Sequence, residues 1–136
     1  MPLPASMKDS LSLPLVAAPM FLISGPELAL ACCKQGIVGS FPALNQRTSE
    51  GFEDWLIQMN EELVAFRSTN PDVTTAPYAV NLIVHRTNHR WQADLELCVK
   101  HQVPIIITSL GAASQVVEAV HSYGGVVFHD VTNQKH

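Results

Sequence analysis

Residues 103–128 read VPIIITSLGAASQVVEAVHSYGGVVF, and this stretch decides the fold class. Its first part, Val103 to Thr108, is almost wholly apolar, which is typical of a strand buried on both faces of a parallel sheet. Three valines then recur at helical spacing, and a second apolar run, Val126 to Phe128, follows a pair of glycines. Strand, helix and strand in this order predict a right-handed βαβ unit with two parallel strands.

The same alternation extends back toward the N-terminal part of the chain. An apolar run begins at Leu13, and further runs follow at intervals long enough to hold a helix. The predicted strands are Leu15–Met20, Ile37–Phe41, Tyr78–Val84, Val103–Thr108 and Val126–Phe128. The sequence therefore predicts an α/β fold in which about five parallel strands, joined by four helices, form a single sheet.

The four intervening helices carry capping and amphipathic patterns. Ser24 and Glu27 form a capping-box pattern for the first helix, and Gly36 is a natural end for it. The second helix, which ends at Asn70, has an apolar face made of Phe52, Trp55, Leu56, Met59, Leu63 and Phe66. The third is predicted to begin at Asn88 as its N-cap. The inward positions predicted for the third and fourth helices are Trp91, Leu95, Cys98, Val116, Val117 and Val120.

Periodicity alone leaves two architectures open, a barrel and an open doubly wound sheet. Two features favour the barrel: no GxGxxG motif follows the first strand, and small or polar residues recur just past strand ends, where barrels place active sites. These candidate positions are Pro19, Met20, Gly39, Ser40, Asn81, Ser109, Gly111, His129 and Asp130. Structural interpretations stay open beside the functional ones. Gly39 can serve close helix packing, Asn81 can be a satisfied core amide, and Ser109 can cap a helix.

Length and charge bound the function classes. The chain has 136 residues, enough for one domain but well short of the ~250 residues of a complete (β/α)8 barrel. Charged residues make up 15% of it, against about 25% in typical domains, so part of the surface is expected to meet a partner. The formal net charge is −4 and the basic residues are scattered, which argues against nucleic-acid or anionic-membrane binding.

The sequence shows no secretion signal or membrane span. Residues 1–12, interpreted as an N-terminal extension, contain prolines and a charged pair rather than an apolar segment behind a basic start. No run of ~18 apolar residues occurs anywhere in the chain. Cys32, Cys33 and Cys98 have neither zinc-ligand spacing nor a disulfide framework, so they are predicted to be reduced apolar residues. We therefore expect a cytoplasmic protein.

The histidines do not form a metal-binding pattern. They are dispersed through the second half of the chain, at His85, His89, His101, His121, His129 and His136. His85 and His89 are four residues apart, but they lie on either side of the predicted N-cap Asn88 and so do not share a helical face. No metal site is predicted. His129 alone stands at the carboxyl end of a predicted strand, which makes it the one functional candidate among them.

Four segments, taken in order, resemble successive pieces of one protein family. They are APMFLISGPELALACCKQGIVGSFPALN at 18–45, APYAVNLIVH at 76–85, VPIIITSLG at 103–111 and GGVVFHDVTN at 124–133. From about Leu13 to the last residue the chain resembles the nitronate monooxygenases, formerly called 2-nitropropane dioxygenases. The resemblance implies a barrel that binds FMN without a covalent link and oxidises alkyl nitronates with dioxygen to a carbonyl compound and nitrite.

The resemblance also implies where the flavin is held. It assigns flavin contacts, made largely by the backbone, to the turn formed by Ala18, Pro19 and Met20. Asn81 corresponds to the family's flavin-contacting asparagine. The remaining cofactor-binding candidates on the same rim are Ser109, Gly111, His129 and Asp130.

The resemblance covers the early part of the barrel. Family members continue for roughly another half barrel, which brings the histidine taken to be the catalytic base and the loops that hold the FMN phosphate. We therefore interpret residues 13–136 as a partial FMN-binding domain of a truncated chain, with the catalytic base expected beyond His136. The chain by itself is expected to bind FMN weakly or not at all and to lack nitronate oxidation.

Two further functional hypotheses stay open. One is another FMN barrel oxidoreductase, such as an enoyl-thioester reductase that also uses a nicotinamide cofactor. The other, from a different class, is a non-catalytic barrel fragment that self-associates, because parallel strands without closure leave open edges and an uncovered apolar face. A small-molecule nitronate, dioxygen and a second copy of the chain are thus the expected partners.

Overall fold

The computed structural model describes residues 3–111 and 113–133 and alternates helices with parallel strands. The helices are α1 (Ala5–Lys8), α2 (Pro26–Lys34), α3 (Ser49–Thr69), α4 (Trp91–Lys100) and α5 (Ser114–His121), with a 3-10 helix at Ala43–Asn45. The strands are β1 (Gly39–Pro42), β2 (Tyr78–Ile83), β3 (Ile105–Ser109) and β4 (Val126–His129). Residues named above that fall outside these ranges, such as His136, lie outside the described residues.

The strands form one parallel sheet in the order β1-β2-β3-β4. Each strand pairs with the next one along the chain, and every pair is parallel. Because parallel neighbours need a crossover, one helix connects each pair and returns the chain to the amino end of the sheet. The α/β class with a parallel sheet is therefore confirmed.

The first predicted strand, Leu15–Met20, is wrong as a regular strand. This segment forms a single parallel bridge, Val16 with Val38, at the outer side of β1. The N–H of Ala17 donates to the carbonyl of Val38 at 2.8 Å. Among the described residues the segment has a strand neighbour on one side, so Leu15 and Val16 stay exposed. The described sheet thus has four strands instead of five.

The N-terminal extension contributes to the core. It contains α1, a helix that the sequence analysis did not predict, which gives the described chain five α-helices rather than four. Met7 of α1 is buried against Val38, Ala79 and Ile105, on the face of the sheet away from α2–α5. We call this surface the inner face. Met7 therefore closes the amino end of the inner face.

The opposite face of the sheet holds the larger core. The predicted apolar face of α3 is confirmed, with its four fully buried members at Phe52, Leu56, Met59 and Leu63. Phe41 of β1 is packed between two rings, with its centroid 5.3 Å from that of Trp55 and 6.4 Å from that of Tyr78. Aromatic and aliphatic burial between helices and sheet is the main stabilising contribution of such a layer.

Two predicted helix caps are wrong by one or two residues. Gly25, not Ser24, is the N-cap of α2, because the Ser24 hydroxyl accepts the N–H of Met20 at 2.8 Å and so serves the preceding turn. Arg90, not Asn88, precedes α4, although the Asn88 side chain accepts the N–H of Arg90 at 3.1 Å. Polar side chains that can cap a helix can equally stabilise the loop before it.

Gly39 and the cysteines have structural explanations. A Cβ on Gly39 would lie 2.1 Å from the carbonyl oxygen of Ala29, so glycine lets α2 pack directly on β1. This confirms the packing interpretation of Gly39.

The three cysteines are free, and Cys33 and Cys98 are buried. Burial raises the pKa of the Cys33 thiol to about 11, so it behaves as an apolar residue.

A surface cluster joins α3 to the end of α4 and gives a pH-dependent prediction. The Lys100 ammonium donates to Glu53 Oε1 at 2.7 Å, and His101 Nε2 lies 2.7 Å from the same oxygen. The hydrogen bond from Lys100, followed by that with His101, lowers the pKa of the Glu53 carboxyl below its usual 4.5. A lowered folded-state pKa contributes stability that is present above the usual value and is lost as pH falls through the folded value.

We expect an NMR titration to place the Glu53 midpoint below that of an unperturbed glutamate. Replacing Lys100→Ala should raise this midpoint, because it removes the larger cause. Gln58→Ala on the same helix is the control and should leave the Glu53 midpoint unchanged, because the Gln58 side chain donates to Glu62 and not to Glu53. An unchanged Glu53 midpoint in Lys100→Ala would contradict the assignment.

Candidate functional site

Asn81 is a polar residue at the carboxyl half of β2, on the inner face. Its register partners are Pro42 on β1 and Ile107 on β3, and it is 6% exposed. The side-chain Nδ2 donates to the carbonyl of Ile107 at 2.9 Å and to the Ser109 hydroxyl at 2.8 Å. Two predicted site residues, Asn81 and Ser109, are therefore brought into direct contact.

The carboxamide of Asn81 is only half used by these contacts. Both hydrogen bonds involve Nδ2, and Oδ1 accepts none from the residues that the structure describes. No fully buried side-chain nitrogen or oxygen in the described ranges lacks a partner, so Oδ1 retains some solvent contact. A carboxamide oxygen has two acceptor positions. The Asn81 side chain is therefore held in one orientation by its two Nδ2 hydrogen bonds, and its Oδ1 is the atom with no hydrogen bond to the described residues.

The predicted turn Ala18–Met20 lies at the same end of the sheet. Its position is fixed by Ala17, whose carbonyl accepts the hydroxyl of Ser40 and whose N–H donates to Val38. Ala18 and Met20 are exposed and Pro19 is half-buried. Strand β1 lies between this segment and β2. The distance from the segment to β2 is therefore two strand spacings, or roughly 10 Å. We call Ala18–Met20, Asn81 and Ser109 together the inner rim.

Gly111 follows β3 at the same edge and is exposed. Leu110 before it adopts a left-handed φ of 60° and is 68% exposed, and Gly111 itself has φ 151°. A Cβ on Gly111 would meet Val84 Cγ2 at 3.3 Å, closer than most contacts of a side chain. The chain after Ser109 therefore turns outward over the end of β2, and glycine permits that turn.

His129 is not brought to the inner rim, and Asp130 follows the end of β4. His129 pairs in register with Thr108, and its Nδ1 is hydrogen-bonded to the Thr108 hydroxyl. Thr108 follows Ile107 and precedes Ser109, so its side chain is on the face toward the helices. Asp130 is exposed, and its N–H donates to the carbonyl of Thr108 at 2.8 Å. His129 is thus at the correct end of the sheet but in a different layer from Asn81, whereas Asp130 follows β4 and lies beside the end of β3.

Three residues with structural roles beside the rim were not singled out from the sequence. Asn45 binds the backbone of residues 20–24, and Arg90 and the buried Asp94 form an ion pair with 3.0 Å between Nη2 and Oδ2. Asp94 follows Trp91 by three residues and so shares its inward helical face, which was a usable signal. Asn45 had no recognisable signal in the sequence, because its hydrogen-bond partners are more than 20 residues away along the chain.

In the described part of the chain, no group of three or more histidine, cysteine or acidic side chains is arranged to hold a metal ion. Over the same residues, no helix is both long enough and apolar enough to cross a bilayer.

Comparison with known proteins identifies the fold. No family model matches the chain, and no curated protein matches it. Among solved structures the chain is similar to a mutant of FabK from Thermotoga maritima, with 16% identity and a TM-score of 0.74. The similarity covers 93% of this chain and 38% of that chain, so the chain spans well under half of the similar structure. The fold is that of part of a (β/α)8 barrel, as predicted.

Proposed function

We propose that this chain is the flavin-contacting part of an FMN-dependent oxidoreductase that oxidises alkyl nitronates. The observation that carries the proposal is Asn81, with its Nδ2 held by Ile107 and Ser109 and its Oδ1 available at the carboxyl end of the sheet. Barrel enzymes bind their substrates and cofactors at this end. The fold similarity supports the barrel, and the sequence resemblance supports the flavin and the nitronate.

The residues of the inner rim fit the ring portion of FMN. A flavin ring has an N–H and carbonyl groups along its pyrimidine edge and apolar faces. Asn81 Oδ1 would accept the ring N–H, while the backbone of Ala18–Met20 would supply groups for the opposite part of the edge. The side chain of Met20 is 44% exposed and offers apolar contact to a ring face. The contacts assigned to this chain are therefore contacts to the ring.

The chain's own residues would bind and orient the reacting ring. FMN, when bound, supplies an acceptor for the electrons of the nitronate and passes them to dioxygen. Asn81 would fix the ring in its plane, because its own rotamer is held by two hydrogen bonds of 2.9 and 2.8 Å. Ser109 would in turn hold Asn81. No described residue is assigned as the catalytic base, and self-association of the chain remains part of the proposal.

The proposal is tested by mixing the purified chain with FMN and recording absorbance, light scattering and nitrite release from an alkyl nitronate. Flavin absorbance that co-purifies with the protein supports the flavin site, and nitrite release in addition supports the nitronate oxidase and contradicts the expectation that this chain alone lacks the activity. Consumption of a nicotinamide cofactor with an enoyl thioester, and no nitrite, would favour the enoyl-thioester reductase instead. A colourless oligomer that releases no nitrite would favour the self-associating fragment.

Replacement of Asn81→Ala should weaken flavin binding by about five- to tenfold. The physical reason is the loss of one hydrogen bond to the ring, worth about 1 kcal/mol or somewhat more. The measurement is a fluorescence titration with FMN. Asn70→Ala is the matched control, because Asn70 caps the far end of α3 at the amino end of the sheet. Equal affinities in wild type and Asn81→Ala would remove Asn81 from the site.

A further inference from the structure

Residues Met20–Ser24 form a tight turn at the inner rim, which we call the rim turn. The N–H groups of Ile23 and Ser24 both donate to the carbonyl of Met20, at 3.2 and 3.0 Å. Leu22 in its middle has φ 61°, in the left-handed region that leucine rarely adopts. A non-glycine residue persists in this conformation only when its surroundings hold it there.

The rim turn exposes three consecutive apolar side chains. Phe21, Leu22 and Ile23 are 65%, 77% and 70% exposed. Single exposed apolar residues are common, but three consecutive ones on a held turn make an exposed apolar surface. This surface adjoins the predicted flavin contact at Met20.

Asn45 holds the rim turn from 21 to 25 residues away in sequence. Its Oδ1 accepts the N–H of Leu22 at 2.9 Å. Its Nδ2 donates to the carbonyl of Met20 at 3.0 Å and to that of Ser24 at 2.7 Å. One carboxamide therefore binds the first, middle and last residues of the turn, and it uses both its donor and its acceptor.

The location of Asn45 links the rim turn to the rest of the site. Asn45 ends the 3-10 helix that directly follows Pro42, the register partner of Asn81. This short helix also packs against β2, the strand that carries Asn81. The residue that holds the rim turn and the strand that carries Asn81 are thus in adjacent, contacting elements.

We propose that Asn45 is a positioning residue that keeps the rim turn in its left-handed form, as a preformed apolar wall beside the flavin ring. The wall takes the apolar surface of the ring and the alkyl part of the substrate. This proposal rests on the proposed function for the identity of the ligand. The clamp itself rests on the three hydrogen bonds of Asn45 alone.

The test combines amide hydrogen exchange with a binding titration in the whole chain. The probe is lumiflavin, which carries the ring without a phosphate. In Asn45→Ala the N–H of Leu22 should exchange about tenfold faster, and lumiflavin should bind about tenfold more weakly, because the turn loses its clamp. Asn45→Asp keeps the acceptor for Leu22 but loses both donor bonds, so it should retain part of the Leu22 protection.

Asn70→Ala is again the control and should change neither measurement. Circular dichroism at the helix minimum verifies that each variant is folded, so a general loss of structure is distinguished from a local one. Unchanged Leu22 exchange in Asn45→Ala would overturn the clamp. Faster exchange with wild-type lumiflavin affinity would overturn the positioning role. A wild-type chain that binds no lumiflavin at millimolar concentration would overturn the proposed function and the wall's ligand, whereas the exchange data would still decide the clamp.

Discussion

Phe41→Ala should lower the free energy of unfolding by about 3–5 kcal/mol, measured by urea denaturation. Phe41 is fully buried, and its ring lies edge-on to Trp55 and parallel to Tyr78. Removing the ring deletes apolar burial and leaves a cavity between α3 and the sheet, which neighbouring rings cannot fill without leaving their rotamers. This loss is a large part of the stability of a domain of this size.

Phe21→Ala is the matched control for this prediction. The chemical change is identical, but Phe21 is 65% exposed on the rim turn, so the free energy of unfolding should stay within about 0.5 kcal/mol of wild type. Comparable losses in the two variants would show that burial does not decide the effect. If Phe41→Ala does not fold, Phe41→Leu provides a smaller cavity at the same position.

Arg90→Ala should be destabilising by about 3–5 kcal/mol, because it leaves a buried carboxylate without its charged partner. The Asp94 side chain is 1% exposed and lies 3.0 Å from the Arg90 guanidinium. The same guanidinium donates to the carbonyls of Gln46 at 2.7 Å and Ala43 at 3.2 Å. After the substitution Asp94 keeps only the hydroxyl of Ser49, at 2.8 Å.

The surface ion pair of Lys100 and Glu53 supplies the comparison. Lys100 is 64% exposed, and solvent screens such pairs, so Lys100→Ala should leave the urea midpoint nearly unchanged. A second check is the double variant Arg90→Ala with Asp94→Ala, which removes the unpaired charge and should recover part of the lost stability. No recovery in the double variant would contradict the assignment of the effect to the buried charge.

The alternation of strands and helices was predictable because it follows from the local spacing of apolar residues. Apolar runs such as Val103–Thr108 need burial on both faces, and the stripe on α3 needs one covered face. Both requirements hold whichever strands or helices provide the burial. The first predicted strand failed because a strand also needs neighbours, and the segment at Leu15 and Val16 pairs only with Val38 in the described chain. The apolar content of a segment does not indicate how many strands pair with it.

What the sequence by itself determined is the α/β class, the parallel order of the strands and the end of the sheet at which polar residues collect. Tertiary structure alone decided which of those residues share a face. Asn81 and Ser109 meet because the register of β2 and β3 sets them side by side, whereas His129 pairs with Thr108 in the other layer. Asn45 became visible only in three dimensions, since its hydrogen bonds to Met20, Leu22 and Ser24 span more than 20 residues. The physical reason is that backbone pairing and long-range hydrogen bonds depend on distances in space, which local spacing does not encode.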